Sequence, residues 1–160
     1  MGPPVDAVAN AAEFPSSADV VIIGGGIIGA SSALFLARQG VSVVLCEKGH
    51  VAGEQSSRNW GWVRRMGRDP RELPLIVEAM TIWDGMQHLV GEDVGFRRTG
   101  ILYLCDTDAD IPHHEEWLKS AGDYTLDTRI VSGAELAALQ PGAVKNYRAA
   151  LYTRSDGRAE

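Results

Sequence analysis

The sequence predicts an α/β fold that opens with a parallel strand, helix and strand unit, and three observations support this. A β-branched segment, Asp19–Ile23, runs into three adjacent glycines. Apolar and small residues then return at helical spacing as far as Gly40. A second β-branched segment, VSVVLCE, ends at Glu47. A right-handed helical crossover between two parallel strands is therefore expected, in a unit of about thirty residues.

Each element of this unit has its own signal. The unbroken apolar character of Asp19–Ile23 predicts a strand buried on both faces of a parallel sheet. The helix is expected from about Ile27 to Gln39, because Gly40 stands where a helix C-terminal glycine would. The second strand follows directly and ends in the acidic Glu47.

Downstream, the segment EQSSRNWGWVRRMGRDPRE has no clean period and is predicted to be an irregular, arginine-rich connection. A long amphipathic helix is predicted in RELPLIVEAMTIWDGMQHLVGED, with Pro74 in its permitted first turn. Strand material is expected over Phe96–Cys105 with a break at Gly100, and PHHEEWLKSAG predicts a short helix. Ser132 and Glu135 have the spacing of a capping box at a helix start. The closing RAALYTRSDGRAE predicts a further strand and turn.

Composition and charge narrow the possible functions. The 160 residues suffice for an ordinary domain with a core, and a net charge of −6 argues against non-specific binding to nucleic acid or an anionic membrane. The longest apolar run, Val20–Ile28, is too short to span a bilayer. The first eighteen residues lack a basic region and are expected to form a disordered leader rather than a secretory signal.

The two cysteines and the paired histidines do not predict a disulfide or a metal site. Cys46 and Cys105 lie inside apolar runs and are expected to be small buried hydrophobes, which suits a reducing, cytoplasmic location. His113 and His114 are adjacent on a predicted helix and so point in different directions. An exposed first turn is the interpretation favoured for them.

The glycines after the first strand carry the strongest functional signal. Gly24, Gly26 and Gly29 have G-x-G-x-x-G spacing between a predicted strand and a predicted helix. In such a motif the first glycine allows a tight turn, the second lets the backbone approach a pyrophosphate, and the third lets helix and strand pack closely. Glu47 is placed to accept hydrogen bonds from an adenosine ribose, and its carboxylate would repel the 2′-phosphate of NADP. A dinucleotide site is predicted, although glycine-rich turns also occur for packing reasons alone.

These residues give the chain a resemblance to the FAD-dependent oxidoreductases of the D-amino-acid oxidase and sarcosine oxidase superfamily, which includes glycine oxidases and D-amino-acid dehydrogenases. It is carried by DVVIIGGGIIGASSALFLARQG, VVLCEK and GEQSSRNWGW, and more faintly by RRTGILYL and LYTRSDGRAE. The resemblance implies FAD as cofactor, a Rossmann-like FAD-binding part over residues 19–90 and the start of an α+β substrate domain over residues 91–160, after the leader at residues 1–18.

The resemblance also assigns candidate site residues. The segment matching Ser56 and Ser57 lies against the cofactor phosphates and ribityl chain in that family, and the segment matching Arg58 to Gly61 approaches the flavin ring. The motif and the resemblance together give these cofactor-binding candidates: Gly24, Gly26, Ile27, Ile28, Gly29, Glu47, Lys48, Ser56, Ser57, Arg58, Asn59 and Gly61. A turn or helix cap is the alternative role of the two serines. Trp60 and Trp62 either line the flavin pocket or are ordinary exposed or core residues.

Five of the twelve arginines fall in the short segment 58–71. They either recognise an anion, as a cofactor phosphate or a substrate carboxylate, or belong to a solvated loop. The solvated interpretation is favoured for Arg68 and Arg71, and both interpretations stay open for Arg64 and Arg65.

The resemblance implies oxidation of the C–N bond of an amino acid or secondary amine by hydride transfer to flavin. No catalytic residue is assigned. Members of the superfamily are longer than this chain, so an N-terminal fragment is expected. Two alternatives stay open: a non-catalytic FAD- or ADP-binding subunit completed by a partner chain, and an NAD-dependent dehydrogenase, which would continue with regular strand and helix repeats.

Overall fold

The computed structural model describes residues 4–159, which form two compact units. The first unit ends at Trp60 and the second begins at Gly61. Residues 4–19 contain no helix or strand. The rest of the predicted leader, residues 1–3, lies outside the described residues. The predicted division into cofactor and substrate parts at residue 90 stays a prediction, because compactness does not assign a role to either unit.

The first unit is the predicted parallel strand, helix and strand. Strand β1 (Val20–Ile23) is followed by helix α1 (Ile27–Arg38) and strand β2 (Val43–Cys46). The two strands pair in parallel with Val20 opposite Val43. The prediction of a helix closed by glycine is also confirmed, since Gly40 adopts the left-handed φ of +81°. A single 3₁₀ turn, Gln55–Arg58, follows later in the unit.

The predicted burial of β1 on both faces is wrong. Val21 is 60% exposed and Ile23 is 91% exposed. Ile22 lies on the side of α1, within 3.3 Å of where a Gly29 methyl group would sit, so its two neighbours point to the opposite face. Within the described part of this unit, a helix covers only one face of the sheet. Cys46, at the end of β2, is also exposed, because it lies on the uncovered face of the sheet. Its predicted burial is therefore wrong.

The second unit contains the remaining elements in the predicted order, with three additions. They are β3 (Trp62–Val63), α2 (Leu73–Val90), β4 (Ile101–Cys105), α3 (Ile111–Ser120), β5 (Thr128–Ser132), α4 (Gly133–Leu139), β6 (Ala149–Thr153) and β7 (Gly157–Arg158). Strands β3, β5 and β7 were not expected from the sequence. None of the helices in residues 4–159 combines the length and apolar content needed to cross a bilayer.

A three-stranded antiparallel sheet of order β4-β6-β5 forms the centre of this unit. The buried Met66, Ile101 and Leu151 pack on one face of it, and Trp117 of α3 packs against them. A second cluster that includes Val131 and Leu136 packs on the other face. Strands β3 and β7 form a separate antiparallel pair that joins the start of the unit to its end.

The predicted capping box at α4 is wrong. Ser132 is the N-cap residue, but its side chain makes no capping hydrogen bond. The reason is that Glu135 forms a bidentate ion pair with Arg129 of β5 instead of returning to the cap. A capping box does form before α3, where Thr107 and Asp110 exchange hydrogen bonds.

Candidate cofactor-binding site

The glycine-rich turn between β1 and α1 is held against the end of β2. Gly24 adopts the left-handed φ of +105°, which favours glycine. Its N–H donates to the carbonyl oxygen of Cys46 at 2.8 Å, so the turn begins where the two strands are still paired. The turn thus places the N-terminus of α1 at the carboxyl ends of the parallel strands, which is where ligands bind in open α/β sheets.

The other two glycines of the motif are required for different reasons. A methyl group on Gly29 would lie 1.9 Å from the carbonyl oxygen of Gly24, so no side chain fits between helix and turn. Gly26 has ordinary extended angles, φ −74° and ψ −177°, and a methyl group there would meet only Ser56 Oγ, at 3.1 Å. Gly29 is therefore fixed by packing inside the protein. At Gly26 the missing side chain leaves the backbone open to close approach.

The N-terminus of α1 offers unpaired backbone donors. The N–H of Ile27 donates to Ser56 Oγ at 2.8 Å. The N–H groups of Gly26, Ile28 and Gly29 have no acceptor within residues 4–159. These donors lie at the positive end of a twelve-residue helix. The arrangement suits a phosphate group, which can accept several such hydrogen bonds at once.

Glu47 is tied to the same turn through both of its carboxylate oxygens. Oε2 accepts from the N–H of Gly25 and Oε1 from the N–H of Gly49, each at 2.8 Å. The hydrogen bond from Gly25, and next that from Gly49, holds the pKa of Glu47 below its usual value. The side chain is therefore an ionised carboxylate in a fixed position. Each oxygen keeps a further lone pair that can accept a ribose hydroxyl.

The structure separates the two predicted serines. Ser56 Oγ reaches the first residue of α1, whereas Ser57 Oγ donates to the carbonyl oxygen of Glu54 at 3.0 Å within its own turn. Arg58 pairs with Glu54 at 3.1 Å, and the Asn59 side chain donates to the carbonyl oxygen of Ser56. Only Ser56 is brought to the glycine turn, and the alternative role as a turn residue describes Ser57.

The last three candidates differ in their surroundings. Lys48 is exposed directly after Glu47. Gly61 belongs to the second unit, with a left-handed φ of +70°, and it accepts a hydrogen bond from the N–H of Ala159 at 2.9 Å. Trp60 is largely exposed.

Most of the arginine-rich segment 58–71 is neutralised by carboxylates of the protein itself. Arg65 Nε donates to Asp156 Oδ1 at 3.1 Å, and the Arg65 side chain is only 12% exposed. Arg68 lies 3.9 Å from Glu72, which is a looser pair. The remaining pairs are Arg58 with Glu54 and Arg71 with Asp69. The solvated interpretation holds for Arg71, which is 89% exposed, but Arg68 has a buried Nε with no hydrogen-bond partner among the described residues.

Sequence reasoning missed Asp156, the fully buried carboxylate of the second unit. Its Oδ2 accepts from the backbone N–H groups of Arg65 and Met66, both at 3.0 Å, and its Oδ1 accepts from Arg65 Nε at 3.1 Å. The available signal was an Asp before Gly157, which indicated only a turn. Its partner lies 91 residues away, a distance at which no local pattern operates.

The histidine pair does not form a metal site. Within residues 4–159, no group of three or more His, Cys, Asp or Glu side chains could hold a metal ion. His113 is exposed as predicted, but His114 is half-buried beside the Tyr103 ring. Burial is the main cause that lowers the pKa of His114.

Comparisons with known proteins place this geometry among flavoenzymes. The family profile described as DAO, FAD dependent oxidoreductase, matches residues 19–160. N-methyl-L-tryptophan oxidase of Escherichia coli K12 is 30% identical over 108 residues, which are 62% of this chain and 29% of that protein. Monomeric sarcosine oxidase of an Arthrobacter species is 24% identical over 144 residues, covering 87% of this chain and 36% of that protein.

The chain is also similar to solved structures. L-amino acid deaminase of Proteus myxofaciens, solved with anthranilate, matches 97% of this chain and 35% of its own, with 34% identity and a TM-score of 0.87. Glycine oxidase of Bacillus cereus matches 89% of this chain and 40% of its own, with 26% identity and a TM-score of 0.79. The chain thus spans only 29% to 40% of the length of these four proteins.

Proposed function

Because the chain belongs to the DAO family of FAD-dependent oxidoreductases, we propose that it supplies the FAD-binding part of an enzyme that oxidises the C–N bond of an amino acid or secondary amine. The substrates named for its relatives, which are N-methyl-L-tryptophan, sarcosine, L-amino acids and glycine, all carry such a bond. FAD, when bound, accepts the hydride, and the protein supplies placement and electrostatics. Family membership also argues against the NAD-dependent alternative.

The open N-terminus of α1 is the observation that carries this proposal. In the proposed complex the N–H groups of Gly26, Ile28 and Gly29 donate to the FAD pyrophosphate. Ser56 holds the helix start through Ile27 and keeps its own hydroxyl proton for a phosphate oxygen. Glu47 accepts hydrogen bonds from the adenosine ribose. The contribution of Lys48, Ser57, Arg58, Asn59 and Gly61 to the flavin half of the site rests on the family resemblance alone.

One observation favours a second candidate, a cofactor-binding subunit that a further polypeptide completes. Val21 and Ile23 expose one face of the β1–β2 sheet, and apolar sheet faces of this kind are normally covered. In this version FAD or ADP binds to the chain, and turnover requires the second polypeptide. We also propose a cytosolic location, which the two free cysteines suit.

The visible absorption spectrum of the purified chain tests the proposal. After incubation with FAD and desalting, the parent protein is expected to keep a flavin spectrum. Gly26→Val is expected to lose it, because a branched side chain would stand where the backbone must approach the pyrophosphate. Gly85→Val is the matched control, since a side chain at this position in α2 meets open space.

The outcomes separate the two versions of the proposal. Flavin retention followed by bleaching with an amino acid or N-methyl amino acid supports the enzyme. Retention without bleaching favours the subunit. A parent protein that is folded but keeps no flavin, or a Gly26→Val variant that binds FAD like the parent, would contradict the cofactor site.

A further inference from the structure

A polar cavity of about 420 Å³ opens at one end of the three-stranded sheet in the second unit. The sheet pairing places the start of β4, the end of β6 and the start of β5 side by side at this end. The lining residues come from the chain next to these three strand ends, and they are Arg98, Thr99, Asp127, Tyr152, Arg154 and Ser155. None of them belongs to the predicted cofactor site, so this end of the sheet has no function assigned to it.

Arg154, in the turn after β6, is an exposed cation without a counterion. Within residues 4–159 no carboxylate pairs with its guanidinium, and none of its side-chain N–H groups has an acceptor. The nearby Arg129 of β5 differs, because Glu135 accepts from it at 2.9 Å. The whole fork of Arg154 is therefore available to a ligand, and its charge selects an anion.

Arg98 supplies further donors to the same cavity and is held in place by its partners. Its Nε and Nη2 donate to the two carboxylate oxygens of Asp84, at 2.9 and 2.5 Å, and its Nη1 donates to the carbonyl oxygen of Ser155. One N–H on each of the two terminal nitrogens keeps no acceptor in the described part of the chain. Since the Arg98 side chain is 36% exposed, a ligand can reach these two donors.

Tyr152 adds a neutral donor in a fixed position. The Arg129 guanidinium lies over its ring, 5.7 Å from the centroid. A methyl group on Gly100 would lie 2.7 Å from the same ring, so the backbone passes closely over it. The hydroxyl of this half-buried side chain has no hydrogen-bond partner among the described residues. It is therefore free to donate to a ligand in the cavity.

The backbone that carries Arg154 is held on both sides. Before it, the hydroxyl of the fully buried Thr153 shares a hydrogen bond of 2.7 Å with that of Thr128 on β5. After it, the N–H of Ser155 donates to Asp127 Oδ2 at 2.9 Å. Binding groups on a fixed backbone lose little entropy when a ligand binds, which favours affinity.

We propose that this cavity is a binding site for a phosphate group. A phosphate has several acceptor oxygens, so it can bind the Arg154 fork, the outward N–H groups of Arg98 and the Tyr152 hydroxyl together. A planar carboxylate would be satisfied by Arg154 alone. Asp127 also lines the cavity, but its charge is offset by Ser155 and by Arg65, whose Nη2 lies 3.5 Å away.

The phosphate can be free or can belong to a small phosphorylated metabolite. The volume of about 420 Å³ lies within the range of small-molecule sites, which favours the phosphate ester. The site is separate from the proposed cofactor site and does not depend on it.

Isothermal titration calorimetry of the FAD-free chain with ribose 5-phosphate, inorganic phosphate and ribose tests the site. Ribose lacks the charge and is expected to bind at least tenfold more weakly than ribose 5-phosphate. Tighter binding of ribose 5-phosphate than of inorganic phosphate supports a phosphate ester as the ligand. Equal affinities support free phosphate, because the sugar then contributes nothing.

Variants of the cavity residues locate the binding. Arg154→Gln is expected to weaken ribose 5-phosphate at least tenfold, and Tyr152→Phe about threefold, because a charged donor contributes more than a neutral one. Arg38→Gln is the matched control. Arg38 is also exposed and has no carboxylate partner among the described residues, but it lies in the last turn of α1. Its replacement is expected to leave the affinity within twofold.

The dependence on Arg154 separates this site from the cofactor site, which contains no cavity residue. Binding that requires Arg154 supports the site even in a preparation that keeps no FAD. Three results would overturn it: no binding of either phosphate compound by the folded parent chain, unchanged binding by Arg154→Gln, or an equal loss in Arg38→Gln. Circular dichroism of each variant confirms that the compared proteins are folded.

Discussion

Removing the buried charge of Asp156 is expected to destabilise the second unit strongly. Asp156→Asn keeps the volume of the side chain but replaces one acceptor oxygen by an NH₂ group. The carboxylate accepts three hydrogen bonds, from Arg65 N, Met66 N and Arg65 Nε, at 3.0 to 3.1 Å. The amide must place a donor against at least one of these donors. Among the described residues it also leaves the partly exposed Asp127 as the one carboxylate paired with the Arg65 guanidinium.

The expected magnitude follows from the burial of this pair. Breaking a buried ion pair by removing one partner costs about 3–5 kcal/mol, because a buried charge is left without compensation. Native domains have a free energy of unfolding of about 5–15 kcal/mol, so the loss would be a large part of the total. A half-exposed pair is worth only about 0–1 kcal/mol. The Arg129–Glu135 pair is of this second kind, which makes Glu135→Gln the matched control.

Urea unfolding followed by circular dichroism measures both variants. We expect the unfolding midpoint of Asp156→Asn to fall clearly below that of Glu135→Gln, and hydrogen exchange to speed up at the amides of Arg65 and Met66. The reasoning is refuted if the two variants lose the same stability, or if the two amides stay protected in Asp156→Asn.

Two further predictions concern the first unit. Ser56→Ala is expected to weaken FAD or ADP binding by about tenfold and Ser57→Ala by less than twofold, because only Ser56 reaches the helix start. Fluorescence titration measures the affinity of both variants. Equal losses of affinity would contradict the assignment of Ser56 to the site. Glu47 has a pKa below its usual value of 4.5 in the folded chain, so its stabilisation is complete above that pH and is lost as the pH falls through the folded pKa. The thermal midpoint of the parent chain should therefore fall between pH 5.5 and 3.5 by more than that of Glu47→Gln, and parallel curves would count against a structural role for this carboxylate.

Most of the helices and strands could be predicted because neighbouring residues in the sequence determine them. The unit from β1 to β2 followed from β-branched runs and glycine spacing, and α2 followed from its helical period. In the same way the family resemblance rested on short motifs, and the family match confirmed it. The close packing of helix and strand at Gly29 was predicted, because the motif itself encodes that contact.

The failures have a common cause, since each depended on a partner that lies outside the local sequence pattern. The burial of β1 depends on what covers its second face. Glu135 forms an ion pair with Arg129 of β5 instead of the predicted capping box. Strand β3 has only two residues and exists because β7 pairs with it. The role of Arg65 depends on its ion pair with Asp156, which lies 91 residues away in the sequence. Sequence reasoning offered residue types for these positions but no means of pairing them.

The pairing of β3 with β7 has a consequence for the order in which the chain folds. In the first unit every strand contact falls within residues 20–46, so these contacts can form while later residues are still being synthesised. In the second unit Trp62 can pair with Arg158 only after residue 158 has been synthesised. The buried Asp156, which binds Arg65, is synthesised almost as late. Closing so long a loop is slow, because its entropy must be lost before the contacts can compensate. During synthesis the first unit is therefore expected to fold while the second unit is still unfolded.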